Sequence, residues 1–160
     1  MDNGEQLELY LWTLYALGLG AAVGFERELR GHEAGIRTTA LVCAGAALFG
    51  QVSLALGDSR VAAGVVQGIG FLGAGLVFQR GTSVKGVTTA ATIWVMAAVG
   101  LVVAEELWLF ALLVTITVVV VLELAPLSDM VLRTSRDKGM AHGDAKPADE
   151  EQPVASSPDD

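Results

Sequence analysis

Apolar residues in this chain gather into five long runs, at residues 7–25, 38–57, 61–78, 87–104 and 107–125, each bounded by charged or turn-forming positions. Each run holds about 18–20 residues, which at 1.5 Å rise per helical residue crosses roughly 30 Å of hydrocarbon. Helices are predicted because a backbone facing lipid must satisfy its own hydrogen bonds, and the connections are too short and the runs too long for a closed barrel. The expected fold class is therefore all-α, a polytopic bundle of five transmembrane helices.

Charge between the runs alternates. Arg27, Arg30 and Arg37 lie in the first connection, Arg80 and Lys85 in the third, and Arg133, Arg136 and Lys138 after the fifth run, whereas the N-terminus and the second and fourth connections hold Arg60 alone. Positive residues concentrate on the cytoplasmic side, so the pattern predicts an outside N-terminus and an inside C-terminus. Tyr10, Trp12, Tyr15 and Trp108 fall at the predicted outer ends, where aromatic rings favour the headgroup level.

Composition agrees with a membrane bundle: 52% of the 160 residues are hydrophobic and the mean hydropathy is +0.53. The net charge of −8 reflects mainly residues 139–160, which hold six acidic side chains against Lys146. Three regions are expected: a transmembrane domain at 1–126, a basic juxtamembrane segment at 127–138 suited to anionic headgroups, and a disordered acidic cytoplasmic tail at 139–160. The single cysteine, Cys43, excludes an intrachain disulfide. The acidic N-terminus lacks the basic start of a cleavable signal, so the first run is expected to remain as a helix.

The polar and small residues inside the runs indicate contacts. Gly20 and Gly24 form a small-xxx-small pair on the first helix, and Glu26 and Arg30 stand four apart, close enough to pair. The third helix carries Gly64, Gly68, Gly70, Gly73 and Gly75; at about 100° per residue, Gly64, Gly68 and Gly75 share one face and Gly70 and Gly73 the opposite one. Two small faces predict a place in the middle of the bundle or between protomers. Gly68, Gly70 and Gly73 also spell a G-x-G-x-x-G, but no strand and turn precede it, as a dinucleotide site requires. Gln51 and Ser53 on the second helix, Gln67 on the third, and Thr88, Thr89, Thr92 and Trp94 on the fourth are the polar or ion-contact candidates. Trp94 is expected to pack against the glycine faces, and the fifth helix to face lipid.

No nucleophile with a base, and no plausible co-ligands for His32 or His142, point to catalysis, so no enzyme is expected. The mid-membrane region has no Asp or Glu, which leaves only interfacial carboxylates and neutral oxygens for a cation such as Mg²⁺. A cation route lined by Glu26, Thr88, Thr92, Gln51 and Gln67 is the alternative to a glycine-packed bundle that meets other membrane helices, with a homodimer through the glycine faces as one such contact.

Three segments in register, GFERELRGHEAGIRTTALVCAGAALF at residues 24–49, GIGFLGAG at 68–75 and VKGVTTAATIW at 84–94, resemble the membrane domain of the MgtC/SapB family. The resemblance implies a multi-pass protein of the bacterial inner membrane tied to magnesium homeostasis, acid and low-magnesium stress adaptation, and, in some members, action on membrane ATPases. By position it carries a signature charged pair onto Glu26 and Arg27, a loop arginine onto Arg37, a glycine core onto Gly68, Gly70, Gly73 and Gly75, and a fourth-helix motif onto Gly86, Thr88, Thr89 and Trp94. Family members of the virulence type often have Asn in place of Thr88, Gln in place of Gly64 and Ser in place of Gln67, and end in an ACT-like soluble domain; this chain has a short polar tail there, which favours the general SapB-like type. The lipid bilayer, a second copy or a membrane ATPase are the partners implied, nucleic acid is not, and no cofactor is expected apart from Mg²⁺.

Overall fold

The computed structural model describes residues 2–78 and 86–124, and those residues form five helices with no strand among them. In chain order they are α1 (Asn3–Leu29), α2 (Ile36–Leu56), α3 (Arg60–Phe78), α4 (Val87–Ala104) and α5 (Trp108–Leu124). The first four are long and apolar enough to cross a membrane; α5 is shorter. The chain through Leu122 is one compact unit, and the second unit, Glu123–Asp160, is described only at Glu123 and Leu124. Arg80, Lys85, the basic segment at 127–138 and the acidic tail at 139–160 lie outside the described residues.

The helix ends follow local chemistry. Asp2 and Glu5 form a capping box at the start of α1, Asp2 accepting from the Glu5 N–H at 2.8 Å and Glu5 from the Asp2 N–H at 2.9 Å. α1 stops at Gly31, whose φ of +70° lets its N–H reach the Glu28 carbonyl while the His32 N–H reaches that of Arg27, both at 3.0 Å. α4 ends in the same motif with Glu106 in the left-handed position, at φ +61°. A side chain there is strained by about 1 kcal/mol. Glu106→Gly is accordingly expected to raise stability by up to about 1 kcal/mol, read as a shifted unfolding midpoint in detergent, and an unchanged or lowered midpoint would contradict it.

Packing separates an inner trio from two flanking helices. Half of α2 and half of α4 is buried, against 28% of α1 and 11% of α3. Small residues make this possible. A Cβ at Gly20 would lie 2.8 Å from Ala40 Cα, one at Gly24 would run into Thr39 and Ile36, and one at Gly100 would meet the Cys43 carbonyl. α1 and α4 thus each close on α2 at backbone contact, around Val23, Cys43, Ala47, Met96 and Val99. Gln51 Nε2 donates to the Leu9 carbonyl at 3.1 Å, and Tyr15 Oη donates to the Trp108 carbonyl at 3.0 Å, tying α1 to α2 and to the start of α5.

Of the two places expected for the third helix, the middle of the bundle or between protomers, the first is corrected here: α2 and α4 hold the middle. Gly73 alone among the five α3 glycines finds a neighbour, Ala90 Cβ of α4 at 3.5 Å from an added Cβ, whereas Gly64, Gly68, Gly70 and Gly75 have open space. Trp94 is half-exposed on the outer surface of α4. The physical reason is that close approach needs small residues on both partners, and α2 offers Ala40, Ala44, Ala46 and Ala47 to α1 and α4.

Candidate functional site

Among the described residues, charge is buried in the bundle at one place, the last turns of α1. The helix continues past its apolar run to Leu29 and so carries Glu26, Arg27 and Arg30 on ordered backbone beside α2 and α4. Glu26 is 8% exposed and Arg27 3%. Arg27 Nη2 donates to Thr89 Oγ1 at 2.8 Å, joining α1 to the first turn of α4 across 62 positions of sequence. Arg30 Nε lies 2.7 Å from Glu26 Oε1, out of line for a hydrogen bond, so the contact is ionic. Glu26 Oε2 and Arg27 Nε are buried with no hydrogen-bond partner among the described residues. A carboxylate paired with Arg30 and interacting electrostatically with Arg27 is thereby held where helix ends meet.

The surrounding elements fix this geometry. Glu28 Oε2 accepts from the Ile36 N–H at 3.1 Å and caps α2 from across the turn, since the N-cap residue, Gly35, has no side chain to do so. Thr39, fully buried, donates to the Gly35 carbonyl at 3.1 Å and occupies the notch left by Gly24. Gly86 starts α4 at φ +90°, which suits glycine, and its position places Thr89 one turn in. Sequence reasoning missed Glu28 and Thr39; an acidic residue shortly before a helix that opens on glycine is the signal that marks the first.

The remaining candidates are dispersed. Arg37 is exposed on the first turn of α2, apart from the buried cluster. Gln51 bonds Leu9, which lies roughly 26 Å along α1 from Glu26. Gln67 is exposed on α3. Thr92 spends its hydroxyl on the Thr88 carbonyl at 2.8 Å, and both residues line an apolar groove of about 370 Å³ between α4 and α5, where Thr117 likewise bonds its own backbone. Of the polar set, the structure brings together only Glu26, Arg27 and Thr89. Among the described residues no group of three His, Cys, Asp or Glu side chains is placed to hold a metal ion.

Comparison with known proteins gives consistent matches. The MgtC family model matches residues 13–129. Protein MgtC of Brucella abortus (strain 2308) is 49% identical over 107 residues, covering 64% of this chain and 45% of the relative. Protein SrpB of Synechococcus elongatus is 42% identical over 133 residues, 72% of this chain and 73% of that protein. Protein MgtC of Salmonella typhimurium (strain LT2) is 50% identical over 90 residues, 54% of this chain and 39% of its own. This chain thus spans less than half the length of the Brucella relatives. No solved structure matches it.

Proposed function

Because the chain belongs to the MgtC family, we propose that it is a non-catalytic protein of the bacterial inner membrane that serves magnesium and acid-stress adaptation by acting on membrane-protein partners, such as a membrane ATPase, or on the membrane's ion balance. In this reading the Glu26–Arg27 end of the bundle faces the cytoplasm, in line with the distribution of Lys and Arg between the connections. The observation that supports it best is the internal use of Glu26, the one carboxylate buried among the described residues. Glu26 is ion-paired with Arg30 and interacts electrostatically with Arg27, so a divalent cation brought to it would be repelled by two positive charges. Mg²⁺ does not fit such a site. The other oxygens of the supposed route sit on separate faces or bond their own helix.

Ion flux in vesicles separates this reading from a cation channel or carrier. Purified protein in liposomes is expected to pass no Mg²⁺ beyond empty vesicles, under either direction of gradient. Flux that rises with protein content and falls on Glu26→Gln would overturn the proposal in favour of transport.

A further inference from the structure

The outer face of α3 carries a polar side chain that lipid cannot satisfy. Gly73 points inward to α4, and the opposite side of the helix, within about 100° of arc, carries Gly64, Gln67, Gly68, Phe71 and Gly75. Phe71 is 82% exposed, more than any other large apolar side chain among the described residues. Gln67 is also exposed and makes no hydrogen bond with the described residues. It stands seven residues into α3, about 10 Å from the helix start, within the hydrocarbon of a spanning helix. Acyl chains offer an amide neither donor nor acceptor, and an unpaired amide there costs a few kcal/mol.

We propose that this face binds a second copy of the same chain, α3 against α3 about a twofold axis along the membrane normal, with the two Gln67 amides hydrogen-bonded to each other. The occupant is argued from self-complementarity. Two copies inserted the same way are related by that axis, and a twofold contact places a residue near the axis against its own counterpart. A glutamine both donates and accepts, so two of them satisfy one another. Phe71 supplies a protruding ring, and Gly68 and Gly75, three before and four after it, supply the recess on the opposing helix. No charged residue follows Arg60 within α3, so identical faces meet without like-charge repulsion. Gly64, Gly68 and Gly75, which find no neighbour inside the protomer, then line the path of closest approach between protomers. This inference rests on the α3 face alone, and the outcome of the flux experiment leaves it untouched.

Cross-linking of the full-length chain in its native membrane tests it. In a Cys43→Ala background, Gln67→Cys is expected to form a disulfide-linked dimer on mild oxidation, while Trp94→Cys, on the outer surface of α4, gives at most a trace. In lipid-dilution energy transfer, Gln67→Leu is expected to weaken association about tenfold and Gln67→Asn to keep most of it. Gly68→Leu, which meets open space within the protomer, is expected to block dimerisation without unfolding the bundle. A monomer at every lipid dilution, equal cross-linking at positions 67 and 94, association unmoved by Gln67→Leu and Gly68→Leu together, or capture of a different membrane protein at position 67 in place of the second copy would each overturn the proposal.

Discussion

Glu26→Leu is expected to destabilise the bundle by up to about 3–5 kcal/mol, because it removes the carboxylate that interacts electrostatically with the buried Arg27 guanidinium. Arg30, the more exposed of the two arginines, can turn to water when its partner goes; Arg27, held against Thr89, cannot. The double variant Glu26→Leu with Arg27→Met is expected to recover most of the loss, since apolar side chains in place of a buried charge pair are often neutral or better. Equilibrium unfolding in mixed detergent micelles, followed by the fluorescence of the chain's three tryptophans, reads both effects. A double variant no more stable than the single one would show that the two charges do not compensate each other.

Gly100→Leu is the second large effect, expected to exceed about 3 kcal/mol and to disrupt the α2–α4 contact. Its Cβ would overlap the Cys43 carbonyl and approach Ala46 Cβ to 2.8 Å and Ala47 N to 3.0 Å, so backbone rather than a flexible side chain would have to move. Gly45→Leu is the matched control. It meets nothing within 4 Å, beside the open groove of about 410 Å³ between α2 and α3, and helix propensity favours it by up to about 1 kcal/mol. Equal losses in the two variants would refute the assignment of α2–α4 as the tight interface.

What the sequence made legible was whatever depends on length and local spacing. The five apolar runs became five helices, and Glu26 and Arg30, one turn apart, do meet. Gly20 and Gly24 do admit α2 at backbone contact. The neighbours across the bundle were not legible. In water an apolar face points to the core, but in lipid the outside is apolar as well, so the glycines of α3 gave a face without saying whether protein or bilayer covers it. The link between Arg27 and Thr89 spans 62 residues and leaves no local periodic trace. Thr89 looked like its neighbours Thr88 and Thr92, yet it alone of the three turns its hydroxyl to α1.

The order of helices along the chain has a consequence for synthesis at the ribosome. α2 closes on α1, already made, but also on α4 near Gly100, some forty residues after α2 ends at Leu56. At ordinary translation rates that interval lasts about 2–9 s. During it α3 emerges first, so the seat of α4 against α2 must remain open for a helix not yet made.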